Sequence, residues 1–277
     1  MVLCLFIGFL LAAGMMSTVP IYMDSSLQRI LIKDMQAYQN ETGLYPGEYI
    51  VTSSISVKDS TEKRRSTVQA MNDLVNDRTS RINIPQANSK TIVIDGFMYL
   101  ITGKTARVKV TGMTGLADHA ELIQGRMYEP GQQPDGSFEI VCNEECLKTL
   151  GVSCGGTYQL QNSFFNAAEP ITVTVVGVFQ QSSETDSYWS ETMENYLNAL
   201  FMDYDTLLGD YLSTGLTTLS SAECRYSFDY QKMDLNDLSS ITRAIEADRQ
   251  VYSDAGMSFS MGISDILSES AVRAANL

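Results

Sequence analysis

The stretch Ile171-Thr-Val-Thr-Val-Val-Gly-Val-Phe179 is the strongest strand signal in the sequence. It is rich in β-branched residues, and threonine alternates with apolar residues in its first half, so it predicts a β-strand with a face in a core. Weaker stretches of the same kind lie on both sides of it and predict a β-rich core between residues 91 and 230. They are Thr91–Ile94, Phe97–Ile101, Ala106–Val110, Phe138–Cys142, Tyr158–Leu160, Asn198–Asp203 and Glu223–Tyr230.

Helical patterns surround this β-rich region. Apolar residues recur at helical spacing from Leu27 to Tyr38, and the helix is expected to end near Gly43. A short helix over Glu144–Leu150 is expected to end at Gly151, a residue suited to a left-handed cap. The predicted fold class is α+β, with helical stems, a mixed α/β core and a β-rich lobe. Further helices are predicted around Val68, Met71, Leu74 and Val75, from Leu235 to about Tyr252, and over residues 263–277.

Residues 1–22 contain no charged side chain, and a helix needs about 20 such residues to cross a bilayer. We therefore interpret this segment as a transmembrane helix. A secretory signal is one alternative, although no Lys or Arg precedes the apolar run and Ala12-Ala13-Gly14 is a poor cleavage site. A buried core helix is another. The nearest basic residues, Arg29 and Lys33, both lie on the C-terminal side, and they leave the orientation of the helix open.

Composition restricts the function. The 277 residues carry 33 acidic and 19 basic side chains, for a formal net charge of −14. Binding to nucleic acid is not expected, because phosphate contacts need clustered Lys and Arg. The single histidine, His119, has no catalytic motif around it and is predicted to lie in a solvated loop. With no phosphate-binding loop and no Gly-x-Ser-x-Gly either, the chain is not expected to be an enzyme or to hold a cofactor.

Neither a metal site nor a catalytic pair is predicted. Cys142 and Cys146 have no second close cysteine pair or histidine nearby, so structural thiols are favoured over zinc. Asp118 or the pair Glu144-Glu145 could act as acids or bases, but no spacing places two carboxylates in one cleft. The basic run Lys63-Arg64-Arg65 is predicted to be a solvated surface, with contact to anionic lipid as the alternative. The disulfide state is left open for Cys142, Cys146, Cys154 and Cys224.

Five segments follow one another in an order that is specific once it is written out. They are Glu121-Leu-Ile-Gln-Gly-Arg126, Phe138-Glu-Ile-Val141, Leu147–Gly151, Gly156-Thr-Tyr-Gln-Leu160 and Val173-Thr-Val-Val-Gly-Val178. This order resembles the extracytoplasmic core domain of the MacB/FtsX-like permeases of ABC transporters. Val19-Pro-Ile-Tyr22 with Asp24-Ser-Ser-Leu-Gln-Arg29 is similar to the exit from the first transmembrane helix in Gram-positive members. The resemblance is general only over residues 180–277, and Cys142 and Cys146 are not part of it.

The resemblance implies a permease subunit in the cell membrane, with most of the chain extracytoplasmic. Its implied partners are a separate cytoplasmic ABC ATPase subunit, membrane lipid and, in the full complex, a second permease copy. Coupling of ATP hydrolysis to export or to force transmission across the membrane is the implied role. Family members have four membrane helices with the ectodomain between the first two, so the chain is expected to be a fragment. The expected divisions are a transmembrane helix (1–22), a stem helix (23–45), the core (46–262, with a lobe boundary near 181–190) and a return stem (263–277).

Two other functions remain open on the sequence alone. A membrane-anchored receptor also places a helix-stemmed α+β domain after one span, and it would bind a small extracellular ligand. A secreted enzyme or adhesin would fit if residues 1–22 were cleaved as a signal. The transported substrate of the permease is not indicated by any residue.

Overall fold

The computed structural model of the protein describes residues 26–42, 44–56, 58–162, 170–183, 186, 188–189, 196–211, 219–261 and 264. The predicted transmembrane segment and all but one residue of the predicted return stem lie outside these described residues. In the described part of the chain, no helix combines the length and the apolar character needed to cross a membrane. The predicted α+β class is confirmed, since helices and one mixed sheet are interspersed along the chain.

The helices begin with α1, which covers residues 26–42. The next five are α2 (Thr61–Thr79), α3 (Leu116–His119), α4 (Glu144–Leu150), α5 (Tyr204–Thr206) and α6 (Leu238–Asp254). A π-helical turn over Leu207–Tyr211 extends α5, and 3-10 turns over Tyr230–Lys232 and Leu235–Asp237 precede α6.

Within the described residues, ten strands form one sheet, and the sequence predicted some of them better than others. They are β1 (Glu48–Ser54), β2 (Gln86–Ile101), β3 (Thr105–Met113), β4 (Ala120–Gly125), β5 (Phe138–Asn143), β6 (Thr157–Asn162), β7 (Ile171–Gln181), β8 (Ala199–Met202), β9 (Leu219–Phe228) and β10 (Met257–Ser260). The two predicted strands at 91–94 and 97–101 are parts of the single strand β2, and neither β1 nor β10 was predicted.

Pairing of the strands produces two connected parts. The order runs β10-β1-β9-β2-β3-β8-β5-β7-β4, and β6 pairs with both β2 and β7. Strands β2, β3, β8, β5, β7 and β6 therefore form a closed ring, in which each strand is hydrogen-bonded to the next. Strands β10, β1 and β9 extend from β2 as an open antiparallel sheet. Closing a ring removes exposed edges that would otherwise recruit other chains.

Strand β2 belongs to both parts because it changes partner along its length. Its residues up to Gly96 pair with β9, whereas Met98–Ile101 pair with β6 on the same edge. The register shifts between Asp95 and Gly96, where the change takes place. A displacement of the open sheet is therefore carried into the ring by one continuous stretch of backbone.

Helices α2 and α6 cover one face of the open sheet, and their apolar residues join the main core. Val68, Met71 and Val75 of α2 are almost fully buried, as are Ile241 and Ile245 of α6. Each such side chain contributes about 1.5–3 kcal/mol by leaving water. The same buried cluster continues into the ring, where it includes apolar residues of β3, β5, β7 and β8. The predicted lobe boundary near 181–190 stays a prediction; this stretch lies between β7 and β8, two strands of the ring.

Local sequence signals explain where two of the helices begin and end. The side chain of Ser60 caps α2 by accepting from the backbone nitrogen of Lys63, and Asn143 caps α4 in the same way. Gly151 ends α4 in the left-handed conformation, with φ of 67°, as predicted.

The basic run Lys63-Arg64-Arg65 is not a wholly solvated surface. It lies inside α2, and its middle residue, Arg64, is buried on the side of the helix that faces the sheet.

Candidate functional site

The candidate site is the junction between α1 and the rest of the domain, because α1 follows closely on the apolar segment 1–22. Leu31 and Met35 of α1 are 1% and 0% exposed and belong to the main core. Gln28 Nε2 donates to the carbonyl oxygen of Met233 at 2.6 Å, and the hydroxyl of Tyr230 donates to Gln39 Oε1 at 3.0 Å. We call Gln28, Leu31, Met35 and Gln39 the α1 anchor.

The spacing of the α1 anchor places its members on one helix face. Steps of three, four and four residues keep side chains in line over three turns. Ile30, which is outside this face, is 46% exposed. The helix is therefore attached to the domain along its length, with polar contacts toward both ends and apolar contacts between them.

The segment that receives α1 is itself held by aromatic contacts. Tyr230 packs edge-on against Tyr45, with ring centroids 5.5 Å apart. The hydroxyl of Tyr45 donates to the carbonyl oxygen of Phe228 at 3.1 Å, and burial raises the pKa of Tyr45 to about 12. The phenol stays protonated at neutral pH and remains a donor. This contact fixes the 3-10 turn over Tyr230–Lys232 against the end of β9.

A buried polar network ties α2, α6 and β1 together behind this junction. Asp248 of α6 is 1% exposed and pairs with Arg78 of α2 at 2.5 Å. The hydroxyl of Tyr49 donates to Asp248 Oδ2 at 2.7 Å and lies 3.0 Å from the hydroxyl of Tyr252. Burial raises the pKa of both tyrosines, so both hydroxyls remain available as donors. Removing one member would leave a buried charge or donor unpaired, which is costly.

Residues that carried the sequence resemblance meet where β4 pairs with the ring strand β7. Arg126, just after β4, pairs with Glu139 of β5 through two bonds of 2.5 and 2.6 Å. Gly125 and Gly177 are paired across β4 and β7, and any Cβ at Gly177 would lie 2.1 Å from the carbonyl oxygen of Arg126. Glycine is required there because the two backbones pass so closely. These residues brace β4 against the ring and have a structural role.

His119 does not lie free in a solvated loop, contrary to the prediction. It ends α3, and its Nδ1 lies 2.7 Å from Asp186 Oδ2. The imidazole stacks on the ring of Tyr188 at 4.0 Å, and the indole of Trp189 donates to the carbonyl oxygen of His119 at 3.1 Å. We call His119, Asp186, Tyr188 and Trp189 the loop clasp, because these contacts fix Asp186, Tyr188 and Trp189 against the end of α3. Trp189 closes over a core edge and is 8% exposed.

The loop clasp covers a second, smaller apolar cluster. Val93 and Ile94 of β2 belong to different clusters, as neighbouring residues of a strand point to opposite faces. Phe179 and Phe201, with ring centroids 5.2 Å apart, form its centre between the ring strands β7 and β8.

The remaining candidate groups have structural partners. Glu144 and Glu145 are exposed and pair with Lys148 at 3.0 and 3.3 Å, and Asp118 is exposed. Cys142 and Cys146 are buried neighbours with free thiols, and contact with Cys142, together with burial, raises the pKa of Cys146. Cys224 is also buried and free, whereas Cys154 is half-buried and free. Within the described ranges, no three His, Cys, Asp or Glu side chains come together as a metal site.

Sequence reasoning missed two charged residues that are almost fully buried, Asp248 of α6 and Arg225 of β9. Asp248 follows Ile241 and Ile245 by seven and three residues, so it continues the apolar stripe of α6, and this position was the available signal. Arg225 of β9 is 7% exposed and is bonded to Glu223 of the same strand. Because neighbouring residues of a strand point to opposite faces and Cys224 lies in the main core, Arg225 lies on the face opposite α2 and α6. No sequence signal indicated that it would be buried there.

Comparisons with known proteins give similarity at a distance. No protein-family model matches the sequence, and no curated protein matches it significantly. A domain of a protein assigned as a permease, from Porphyromonas gingivalis, is 14% identical over 78% of this chain and 90% of that chain, with a TM-score of 0.36. The extracellular domain of the noncanonic ABC-type transporter YknZ from Gram-positive bacteria is 10% identical over 76% of this chain and 99% of that chain, with a TM-score of 0.38. Values this low do not assign a function to the chain.

Proposed function

We propose that the chain is the extracytoplasmic domain of an ABC transporter permease subunit, with its first membrane helix. It couples ATP hydrolysis by a separate cytoplasmic ATPase to export or to force transmission across the membrane. The MacB/FtsX-like order of sequence segments supports this role. The single histidine, His119, makes structural contacts in the loop clasp, and this agrees with a role that needs no catalytic group. The proposal includes no catalytic residue, metal or cofactor in the domain.

The observation that carries the proposal is the α1 anchor. A helix over residues 26–42 is about 25 Å long at 1.5 Å per residue. Because Leu31 and Met35 are fully buried, movement of this helix displaces the core rather than bending a free linker. An apolar segment placed directly before such a helix connects membrane movement to the domain.

The route beyond α1 follows from the fold. The anchor contacts the segment at Tyr230 and Met233, which leads through the 3-10 turns into α6. The Asp248 network joins α6 to α2 and β1, and β9 joins β1 to the shared strand β2. Movement is passed through packed elements and needs no chemical group. This agrees with a mechanical role and gives no support to catalysis.

The location can be tested with the chain's own thiols. Cys154 is the half-buried cysteine of the described residues, while Cys142, Cys146 and Cys224 are buried. A membrane-impermeant maleimide added to intact cells should label Cys154, and Cys154→Ser should remove that label. Labelling that needs cell lysis would place the domain in the cytoplasm and end the proposal.

The coupling is tested on the complete gene product, purified from its native membrane. We expect an ATP-binding-cassette subunit in fixed ratio with it, and ATP hydrolysis that vanadate inhibits. A membrane-anchored receptor would show neither. That result, together with extracytoplasmic labelling of Cys154, would favour the receptor interpretation instead.

A further inference from the structure

A cavity of about 410 Å³ lies between α2, β2 and the turn that follows β8. Its volume falls in the range of roughly 300–1,000 Å³ that is usual for small-molecule sites. The floor is apolar and consists of Val68, Ile92, Tyr204 and Leu208. Ile92, Tyr204 and Leu208 are only half-buried, although they lie beside the main core.

The wall of the cavity on the α2 side is polar and carries positive charge. Arg65 lines it, and its Nε donates to the carbonyl oxygen of Leu208 at 3.0 Å, which holds the guanidinium beside the Tyr204–Leu208 turn. Lys90 stands beside the wall, where its ammonium donates to Asn72 and, at 2.5 Å, to Asn76. Glu62 is the acidic residue of the lining, so the three charged groups sum to a positive site.

Arg65 has no carboxylate within ion-pair distance among the described side chains, unlike Arg78, Arg81, Arg126 and Arg225. The bond to Leu208 uses only Nε, and the terminal nitrogens of the guanidinium are the groups that bind carboxylate or phosphate in pairs. In a chain with a net charge of −14, an arginine that lines an apolar cavity and has no acidic partner among the described side chains is an unusual arrangement.

We propose that this cavity binds a small anionic amphiphile. An apolar chain or ring lies on Val68, Ile92 and Leu208, and a carboxylate or phosphate at its end is bound by Arg65. Each half of the ligand matches a different half of the site, so both halves are needed for affinity. The inference does not depend on the permease role, because it uses only the residues of the cavity.

Occupation of the cavity has a structural consequence. The ligand contacts α2, which covers the open sheet, and the Tyr204–Leu208 turn, which follows the ring strand β8. It therefore fills the gap between the two parts of the fold and stabilises their contact.

The test uses the full chain in nanodiscs of phosphatidylcholine, with methyl NMR of Ile92 and Leu208 as the readout. Four water-soluble probes separate the two halves of the ligand: octanoate, octyl phosphate, octanol and inorganic phosphate. Empty nanodiscs measure partition of each probe into lipid. We expect saturable shifts of both methyl groups with octanoate, octyl phosphate or both, and none with octanol or inorganic phosphate at the same free concentration. The octanoate and octyl phosphate arms distinguish a fatty-acid type of ligand from a phospholipid type.

Variants locate the site. Arg65→Gln should weaken binding by about tenfold or more, the usual loss for a hydrogen bond to a charged group. Lys63→Gln is the matched control, since it removes an exposed cation from the same helix outside the cavity lining. Ser66→Phe fills the mouth and should abolish the shifts, while circular dichroism shows that each variant remains folded.

Four results would overturn the proposal. The first three are the absence of saturable shifts with every probe, equal binding of octanol and octanoate, and equal affinity of the wild type and a folded Arg65→Gln variant. Binding of inorganic phosphate as tight as that of octyl phosphate would also overturn it, because the apolar floor would then contribute nothing.

Discussion

Glu139 is a nearly buried carboxylate whose charge depends on one neighbour. The bidentate bond from Arg126 is the largest cause that lowers its pKa below the ordinary value of 4.5. The backbone nitrogen of Glu129 adds a third bond at 2.9 Å. The Arg126–Glu139 pair joins the end of β4 to β5. It lies next to the position where Gly125 and Gly177 allow the backbones of β4 and β7 to approach closely.

Arg126→Ala should lower the free energy of unfolding at neutral pH, because Glu139 keeps its burial and loses its partner. Since the folded-state pKa is lowered, the stabilisation is present above the unfolded value of about 4.5 and is lost as pH falls through the folded value. The difference between wild type and variant should therefore shrink below pH 4.5. Urea unfolding at several pH values measures it.

Lys148→Ala is the control for that experiment. Its partners Glu144 and Glu145 are more than half exposed, so its removal should cost less than the removal of Arg126. If Arg126→Ala cost no more than Lys148→Ala, the brace would not hold β4 in place.

Prediction from sequence succeeded at residues whose conformation depends only on their neighbours in the sequence. Gly151 ends α4 because a left-handed cap favours glycine, and that signal lies within a few residues. Pairs such as Arg78 with Asp248, 170 positions apart, have no local signal at all. His119 was misjudged for the same reason, since its partner Asp186 is 67 positions away.

The loop clasp depends on contacts between a few side chains. His119→Ala removes the bond to Asp186 and the stacking on Tyr188, and we expect a loss of about 1–2 kcal/mol in the local stability of Asp186, Tyr188 and Trp189. Trp189 is the single tryptophan of the chain, so its emission should shift to longer wavelength as it becomes solvated.

Limited proteolysis should then cut the His119→Ala variant first next to Tyr188 and Trp189, while the ring strands stay intact. Glu121→Ala, at an exposed neighbouring position, is the control and should behave as wild type. An unchanged tryptophan spectrum in His119→Ala would show that other contacts hold this segment.

Helix α1 is the element on which the proposed function depends. Leu31→Pro removes a backbone hydrogen bond and clashes with the preceding turn, at a local cost of about 3 kcal/mol or more. In the complete transporter, we expect transport-linked function to fall while ATP hydrolysis by the partner persists or becomes uncoupled. Leu31→Ala keeps the helix but removes a buried contact and should have a smaller effect.

Ile30→Ala is the matched control, because it changes the neighbouring residue on the exposed side of the same helix. A Leu31→Pro transporter that assembles and keeps wild-type function would rule out transmission through α1. The domain would then be closer to a passive ligand-binding module.

At the scale of secondary-structure elements, the sequence predicted the helices and strands whose apolar residues recur in a regular pattern. Strand β7, helix α4 and the helical stretches of α1, α2 and α6 were found because their patterns are strong. Strand β10 has only four residues, and β1 lies beside a turn at 46–47, so neither offers a long pattern. Closure of the ring through β6 depends on pairing with β2 and β7 and could not be predicted from either strand alone.

The whole molecule raises the question of whether the ring and the open sheet unfold together. Strand β2 runs through both, and one buried cluster extends from beneath α6 to the interior of the ring. Shared backbone and shared core favour a single cooperative transition, although a chain of this length often divides into domains that unfold separately. The predicted boundary near 181–190 would instead give two transitions.

We expect one transition, and two substitutions placed at opposite ends of the core test it. Ile241→Ala lies on α6 and Ile140→Ala lies on the ring strand β5, and both side chains are almost fully buried. Each should lower the free energy of unfolding by about 2–5 kcal/mol, and each should shift the whole transition. Calorimetry of residues 23–277, with tryptophan emission and far-ultraviolet circular dichroism as local and global probes, makes the measurement. If Ile140→Ala moved only the tryptophan transition and Ile241→Ala only the remainder, the ring would be an independent unit, and movement of α1 would then reach it only weakly.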